Sequence, residues 1–203
     1  MSVIRQGGLV FDIGAHKGES AASFLCAGAG RVVCVEAGAE FCEEIRRYIP
    51  SVIVLNAACV DKHGPDVKWF RADDDDGRST IDIERWGKVY GDEKFSEPQT
   101  VGTITLDTLK LAFGQPDYIK IDVEGGEYPV LLGMNYRSEY LTFEFHGCEG
   151  EATRQCVRRL IELGYTKYIG MISDVNIELL PTQPLTELLS APLPVWGNIT
   201  VGR

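Results

Sequence analysis

The sequence predicts an α/β fold, a doubly wound and mostly parallel sheet. Three observations predict it. Short apolar runs of strand length recur at residues 9–13, 31–36, 52–58 and 117–123. Alanine-rich or amphipathic segments of helix length separate several of them, such as 19–29 and 39–49. The first run ends directly in a glycine turn, Asp12-Ile13-Gly14-Ala15-His16-Lys17-Gly18. Strands alternating with helices specify βαβ units. Their right-handed crossovers place the glycine turn and the end of the second strand on one edge of the sheet, where the strands have their carboxyl ends.

Each element has its own warrant. Residues 9–13 form an almost continuous apolar run, the pattern of a strand covered on both faces. Gly14 and Gly18 bracket the turn, and 19–29 reads as the first helix. Residues 31–36 are a second buried strand ending in an acid, and 39–49 is an amphipathic helix stopped by Pro50. Residues 52–58 read as one third strand. A turn at 61–66 and a short strand at 67–70 follow.

The segment 71–99 breaks this rhythm with Asp73-Asp74-Asp75-Asp76-Gly77, Ser79-Thr80-Ile81, Trp86 and Tyr90. It reads as a long excursion over the top of the sheet and the expected selector of a substrate. Four adjacent aspartates point in several directions, so they read as a solvated loop and not as a metal site. Residues 101–106 alternate as a strand, and Asp107 opens a short helix closed by Gly114 and Pro116. The fourth core strand is 117–123; a helix at 127–136 tolerates Pro129 in its first turn. Residues 141–146 are the fifth strand, 151–163 an amphipathic helix ended by Gly164, 165–171 the sixth strand and 198–201 the seventh. A short helix at 185–189 sits among Pro181, Pro184, Pro192 and Pro194. No repeat or boundary interrupts the chain, so one domain over 1–203 is expected.

Bulk properties narrow the function. A chain of 203 residues, 44% hydrophobic and 25% charged, suits one full core. The formal net charge of −10 offers no basic footprint for nucleic acid, so no nucleic-acid partner is expected. No apolar run approaches the roughly 20 residues of a membrane helix. The first seven residues carry no signal-peptide core and leave no room for a lid before the first strand. Six cysteines without a C-x-x-C pair read as free thiols in a reducing cytoplasm, not as a zinc site.

Strand, glycine turn and helix N-terminus together make a nucleotide-type site. Backbone N–H groups and the helix dipole face the turn, and glycine lets a ligand approach closely. A dinucleotide fingerprint, G-x-G-x-x-G, would need glycine where His16 stands. The pattern here is Asp12-x-Gly14-x-x-x-Gly18, which resembles the first motif of class I S-adenosylmethionine (SAM) methyltransferases. Ile119-Lys120-Ile121-Asp122-Val123-Glu124-Gly125-Gly126-Glu127 and Phe143-Glu144-Phe145-His146 narrow the resemblance to the FkbM family, over about residues 9–147. The resemblance implies a three-layer, Rossmann-like class I methyltransferase fold of about seven strands, the last antiparallel. It implies SAM as cofactor and methylation of a hydroxyl on a small molecule or carbohydrate.

Candidate site residues follow. Asp12 is placed to accept from the ammonium of a methionine moiety, directly or through water, while the turn's N–H groups hold its carboxylate. Glu36, about 20 residues past the turn, is where a carboxylate accepts from both ribose hydroxyls. His16 contacts the cofactor's carboxylate or lines the substrate entrance. By resemblance Asn56 lies near the adenine; forming a turn is its competing role. Asp122 and Glu124 follow the fourth strand, two apart and so on one face of an extended segment. By resemblance that motif borders the methyl-transfer site. His146, Asp122 or Glu124 is the expected proton acceptor. Asp122, Glu124, Glu144 and His146 could also hold a magnesium ion, although transfer without metal ranks first. Two rivals remain: a SAM-binding sensor or scaffold without catalysis, and an NAD-linked oxidoreductase.

Overall fold

A computed structural model describes residues 3–73, 76–84, 94–146, 150–172, 182–192 and 196–202. Asp74, Asp75, Trp86, Tyr90, Cys148, Pro181 and Pro194 lie outside the described residues. The strands are β1 (Leu9–Ile13), β2 (Arg31–Glu36), β3 (Ile53–Asn56), β4 (Ala58–Cys59), β5 (Val67–Trp69), β6 (Gln99–Val101), β7 (Thr103–Ile104), β8 (Tyr118–Ile121), β9 (Tyr140–His146), β10 (Lys167–Ile172), β11 (Gln183–Pro184) and β12 (Trp196–Gly202). The helices are α1 (Glu19–Cys26), α2 (Ala39–Tyr48), α3 (Leu106–Phe113), α4 (Glu127–Leu132) and α5 (Gly150–Glu162).

The large sheet has the order β11-β10-β12-β9-β8-β1-β2-β3. The β3-β2-β1-β8-β9 portion is parallel throughout. The last strand, β12, inserts antiparallel between β9 and β10, as expected. An eighth strand, the two-residue β11, pairs with β10 at the edge. It carries no periodicity and contains Pro184, so its sequence reads as loop.

Period-two alternation sorts the strands' side chains into two cores. Leu9, Phe11 and Ile13 face one side, where Leu106, Leu109, Val130, Leu131, Val157 and Leu160 bring α3, α4 and α5 against the sheet. Val10, Val32, Cys34 and Tyr118 face the other, with Ala21 of α1 and Ile45 of α2. Burial on both faces is why these strands read as continuous apolar runs.

Most expected elements shift at their ends by one to three residues, and three depart in ways the contacts explain. The run 52–58 divides into β3 and β4, because Ala57 donates to Glu36 O while Ala58 donates to Gly102 O and starts a separate pairing with β7. The run 101–106 divides at Gly102, and α3 starts at Leu106, one residue early, because Thr105 Oγ1 caps it by accepting from Thr108 N–H. The helix expected over 127–136 ends at Leu132. The next residue, Gly133, runs so close to Val60 that a Cβ there would lie 2.4 Å from its carbonyl oxygen. The described parts of the excursion are tied down. β5 and β6 form an antiparallel ribbon, extended by bridges between Phe70 and Thr80 and between Ala72 and Phe95.

Candidate active site

The turn after β1 is built on backbone proximity. Gly14 has φ 76°, and a Cβ there would lie 1.7 Å from the carbonyl oxygen of Asp122. Glycine is therefore required for β1 and β8 to end side by side. Gly14 and Ala15 both donate to Val35 O, Gly18 donates to Ala15 O, and His16 N–H donates to Glu36 Oε2 at 2.8 Å. These four N–H groups are spent within the chain. They are therefore not free to hold a ligand's carboxylate, contrary to what the motif predicts of the turn.

Glu36 ends β2 at the lip of a cavity and is 7% exposed. Burial pushes its carboxyl up, opposed by the N–H groups of Gly38 and His16 that it accepts. A carboxylate has about four acceptor positions, and the N–H groups of Gly38, His16 and Ala37 do not fill them all, so acceptor capacity remains for a hydroxyl. Beside it Ala37, Phe41, Ala57, Cys59 and Trp69 form an apolar slot. The Phe41 ring stands edge-on to His16 at 4.5 Å and to Trp69 at 6.0 Å. Acceptor, apolar slot and close-approach glycine together fit an adenosine-bearing ligand. Asn56 lies outside the cavity lining, and its amide donates to Glu36 O and Ala37 O, shaping the loop after β2.

Asp12 points to the α1 face, opposite Lys120 of β8 and Cys34 of β2. It is fully buried, does not line the cavity, and neither oxygen finds a hydrogen-bond partner among the described residues. Burial pushes its carboxyl up to about 7 against the pull of the Lys120 ammonium. Lys120 donates to Asp122 Oδ2 at 2.7 Å, and the surrounding carboxylates hold its ammonium above the ordinary lysine range despite burial.

Asp122 and Glu124 also line the cavity. Glu124 has φ 55° and leaves the extended path of β8. Its carboxylate swings toward β9, where His146 Nε2 lies 3.9 Å from Glu124 Oε2 and 3.5 Å from Glu144 Oε2. Burial and neighbouring carboxylates push Glu124 up strongly; burial pushes Glu144 up too, opposed by His146. One ligand atom from each of the three lies within 4.8 Å of the others. Asp122, bound to Lys120, is not in this group. The four-residue cation set is therefore corrected to three.

Sequence reasoning missed Lys120, Phe41, Trp69, Glu127 and Thr80. Lys120 had a usable signal, a lone cation in an otherwise apolar strand. Glu127 Oε1 accepts from Val123 N–H and Gly125 N–H, and Gly77, Ser79, Thr80 and Ile81 wall the cavity from the excursion.

A family model described as the methyltransferase FkbM domain matches residues 12–168. No curated protein matches the chain. Among solved structures it is similar to the precorrin-6y C5,15-methyltransferase of Geobacter metallireducens, with TM-score 0.51, 12% identity, and coverage of 98% of this chain and 82% of that one. A TehB-like SAM-dependent methyltransferase of Corynebacterium glutamicum gives TM-score 0.51 at 9% identity, with 98% and 82% covered. At these identities the two likenesses establish the fold.

Proposed function

We propose a reaction from one premise: the chain belongs to the FkbM methyltransferase family and is a SAM-dependent methyltransferase. The proposal is that it methylates a hydroxyl oxygen on a small molecule or sugar. One observation carries it. Glu124, which lines the cavity, lies against Glu144 and His146 just behind the cavity wall, and burial raises both carboxyl groups. A histidine between two acids is suited to take the proton a hydroxyl loses as it attacks, and a carboxyl that burial keeps protonated can relay it by accepting on one oxygen and donating from the other.

In this reading Glu36 holds the ribose hydroxyls, the slot of Phe41, Ala57 and Trp69 takes the adenine, and Gly14 and His16 border the methionine end. Bound there, SAM supplies a sulfonium methyl that passes to the acceptor oxygen as the carbon–sulfur bond breaks and its electron pair stays on sulfur. His146 receives the hydroxyl proton, directly or through Glu124. Asp122, its Oδ2 fixed by Lys120, offers Oδ1 to the acceptor. The described part of the excursion that lines the cavity, Gly77, Ser79, Thr80 and Ile81, forms the acceptor wall of a single catalytic domain. Buried free thiols at Cys34, Cys42, Cys59 and Cys156 support a reducing compartment, the cytoplasm. Among the described residues no helix is long and apolar enough to cross a membrane.

A second reading places a magnesium ion on Glu124, Glu144 and His146, supported by the spacing of their ligand atoms. One assay tests both readings. The protein is incubated with SAM and a panel of sugars and hydroxylated metabolites, and S-adenosylhomocysteine is measured with EDTA or with magnesium. Product with either addition supports direct proton removal. Product only with magnesium supports the cation. SAM binding without product on any acceptor sinks the hydroxyl assignment in favour of a sensor or scaffold.

A further inference from the structure

We infer that Thr80 is a positioning residue for the Glu124 carboxylate, reaching from the excursion to the loop after β8. The inference rests on the methyltransferase reading above, since it gives Glu124 a task.

Glu124 sits at φ 55°, a backbone conformation that side chains other than glycine rarely adopt. Such a residue persists only where its surroundings hold it. Three hydrogen bonds do so here. Two come from Glu127, whose Oε1 accepts from the N–H groups on either side of Glu124, those of Val123 and Gly125. The third comes from 44 residues earlier, where Thr80 Oγ1 donates to Glu124 O at 3.0 Å. The direction of that bond follows from the neighbours: Thr80 Oγ1 already accepts from Asp82 N–H, so its own proton goes to the carbonyl.

Thr80 is itself anchored. It is 1% exposed, and its backbone makes both hydrogen bonds of a bridge to Phe70, at 2.8 and 2.9 Å. Phe70 directly follows β5, whose Trp69 packs on Phe41 in the apolar slot. A continuous set of contacts thus runs from that slot, through the ribbon and Thr80, to the backbone that aims Glu124 at Glu144 and His146. The wall that meets the acceptor and the loop that carries the acid are one unit.

The test is Thr80→Val, which keeps the shape and removes the donor, with Thr80→Ser as the conservative rescue. Hydrogen exchange read by mass spectrometry on peptides covering 122–127 should be about tenfold faster in the valine variant and near normal in the serine variant. With the acceptor selected from the hydroxylated panel, kcat should fall about 10- to 100-fold while the Kd for SAM stays within about twofold. In a Glu124→Gln background the valine substitution should cost little more, because both changes act on one group. Unchanged exchange in Thr80→Val overturns the inference. So does a loss of SAM affinity that accounts for the whole loss of turnover, or a full additional loss in the Glu124→Gln background. If no acceptor is turned over by the wild type, the acceptor reading fails, and the exchange comparison still decides whether Thr80 holds the Glu124 loop.

Discussion

Replacing Asp12 by Asn should stabilise the protein at alkaline pH. The Asp12 carboxyl is fully buried, without a hydrogen-bond partner among the described residues, and raised from an ordinary 3.8 to about 7. At about 1.36 kcal/mol per pH unit, that rise means ionised Asp12 weakens the folded state by roughly 4 kcal/mol. A raised carboxyl binds its proton more tightly when folded. Its stabilising contribution is therefore complete below pH 3.8, declines as pH rises toward 7, and is gone above it. Asn abolishes this decline but also removes one of the carboxylates around Lys120, which keeps Asp122 at 2.7 Å. The Lys120 attraction is already contained in the rise to about 7, so the variant should gain up to roughly 4 kcal/mol over wild type at pH 8 and about nothing near pH 4. Urea unfolding of both proteins from pH 4 to 8.5 reads this as a difference curve, in which titrations common to both cancel. Parallel curves, or a variant less stable than wild type at pH 8, would show that Asp12 is ionised and partnered, and the reasoning would be wrong.

Other substitutions test the rest of the site. Gly14→Ala puts a Cβ 1.7 Å from Asp122 O at φ 76°, so it should cost more than about 1 kcal/mol in thermal unfolding and abolish SAM binding. An unchanged melting temperature would contradict the close approach. Glu36→Ala strips the N–H groups of His16 and Gly38 of their acceptor, and should weaken SAM binding roughly 10- to 100-fold or more and the apo fold by about 1–3 kcal/mol. Calorimetric titration showing wild-type affinity would remove Glu36 from the site. His146→Asn should cut turnover by about 10²- to 10⁴-fold with SAM affinity intact. Full turnover would leave the proton to another group.

What the sequence made legible was local. The order of strands and helices, the need for glycine at 14 and the acid closing β2 all follow from patterns within a few residues. The pairing of Asp122 with Glu124 on one face rested on the period-two rule, which holds only while the chain stays extended. Lys120 and Asp122 obey it and face the α1 side together; Glu124, at φ 55°, leaves the strand and joins Glu144 and His146 instead. Asn56 read equally as ligand contact or loop former, and only the carbonyls of Glu36 and Ala37 reveal where its amide donates. Thr80 stood out only as part of the excursion, because its particular role lies in a hydrogen bond to a residue far along the chain.

The central claim is that the cavity beside Gly14 and Glu36 is a SAM site in a working methyltransferase. Isothermal titration with SAM and with S-adenosylhomocysteine, with and without magnesium, tests it most directly. Saturable one-to-one binding of both, lost in Glu36→Ala, is the predicted result. No binding of either ligand by a folded protein would contradict it.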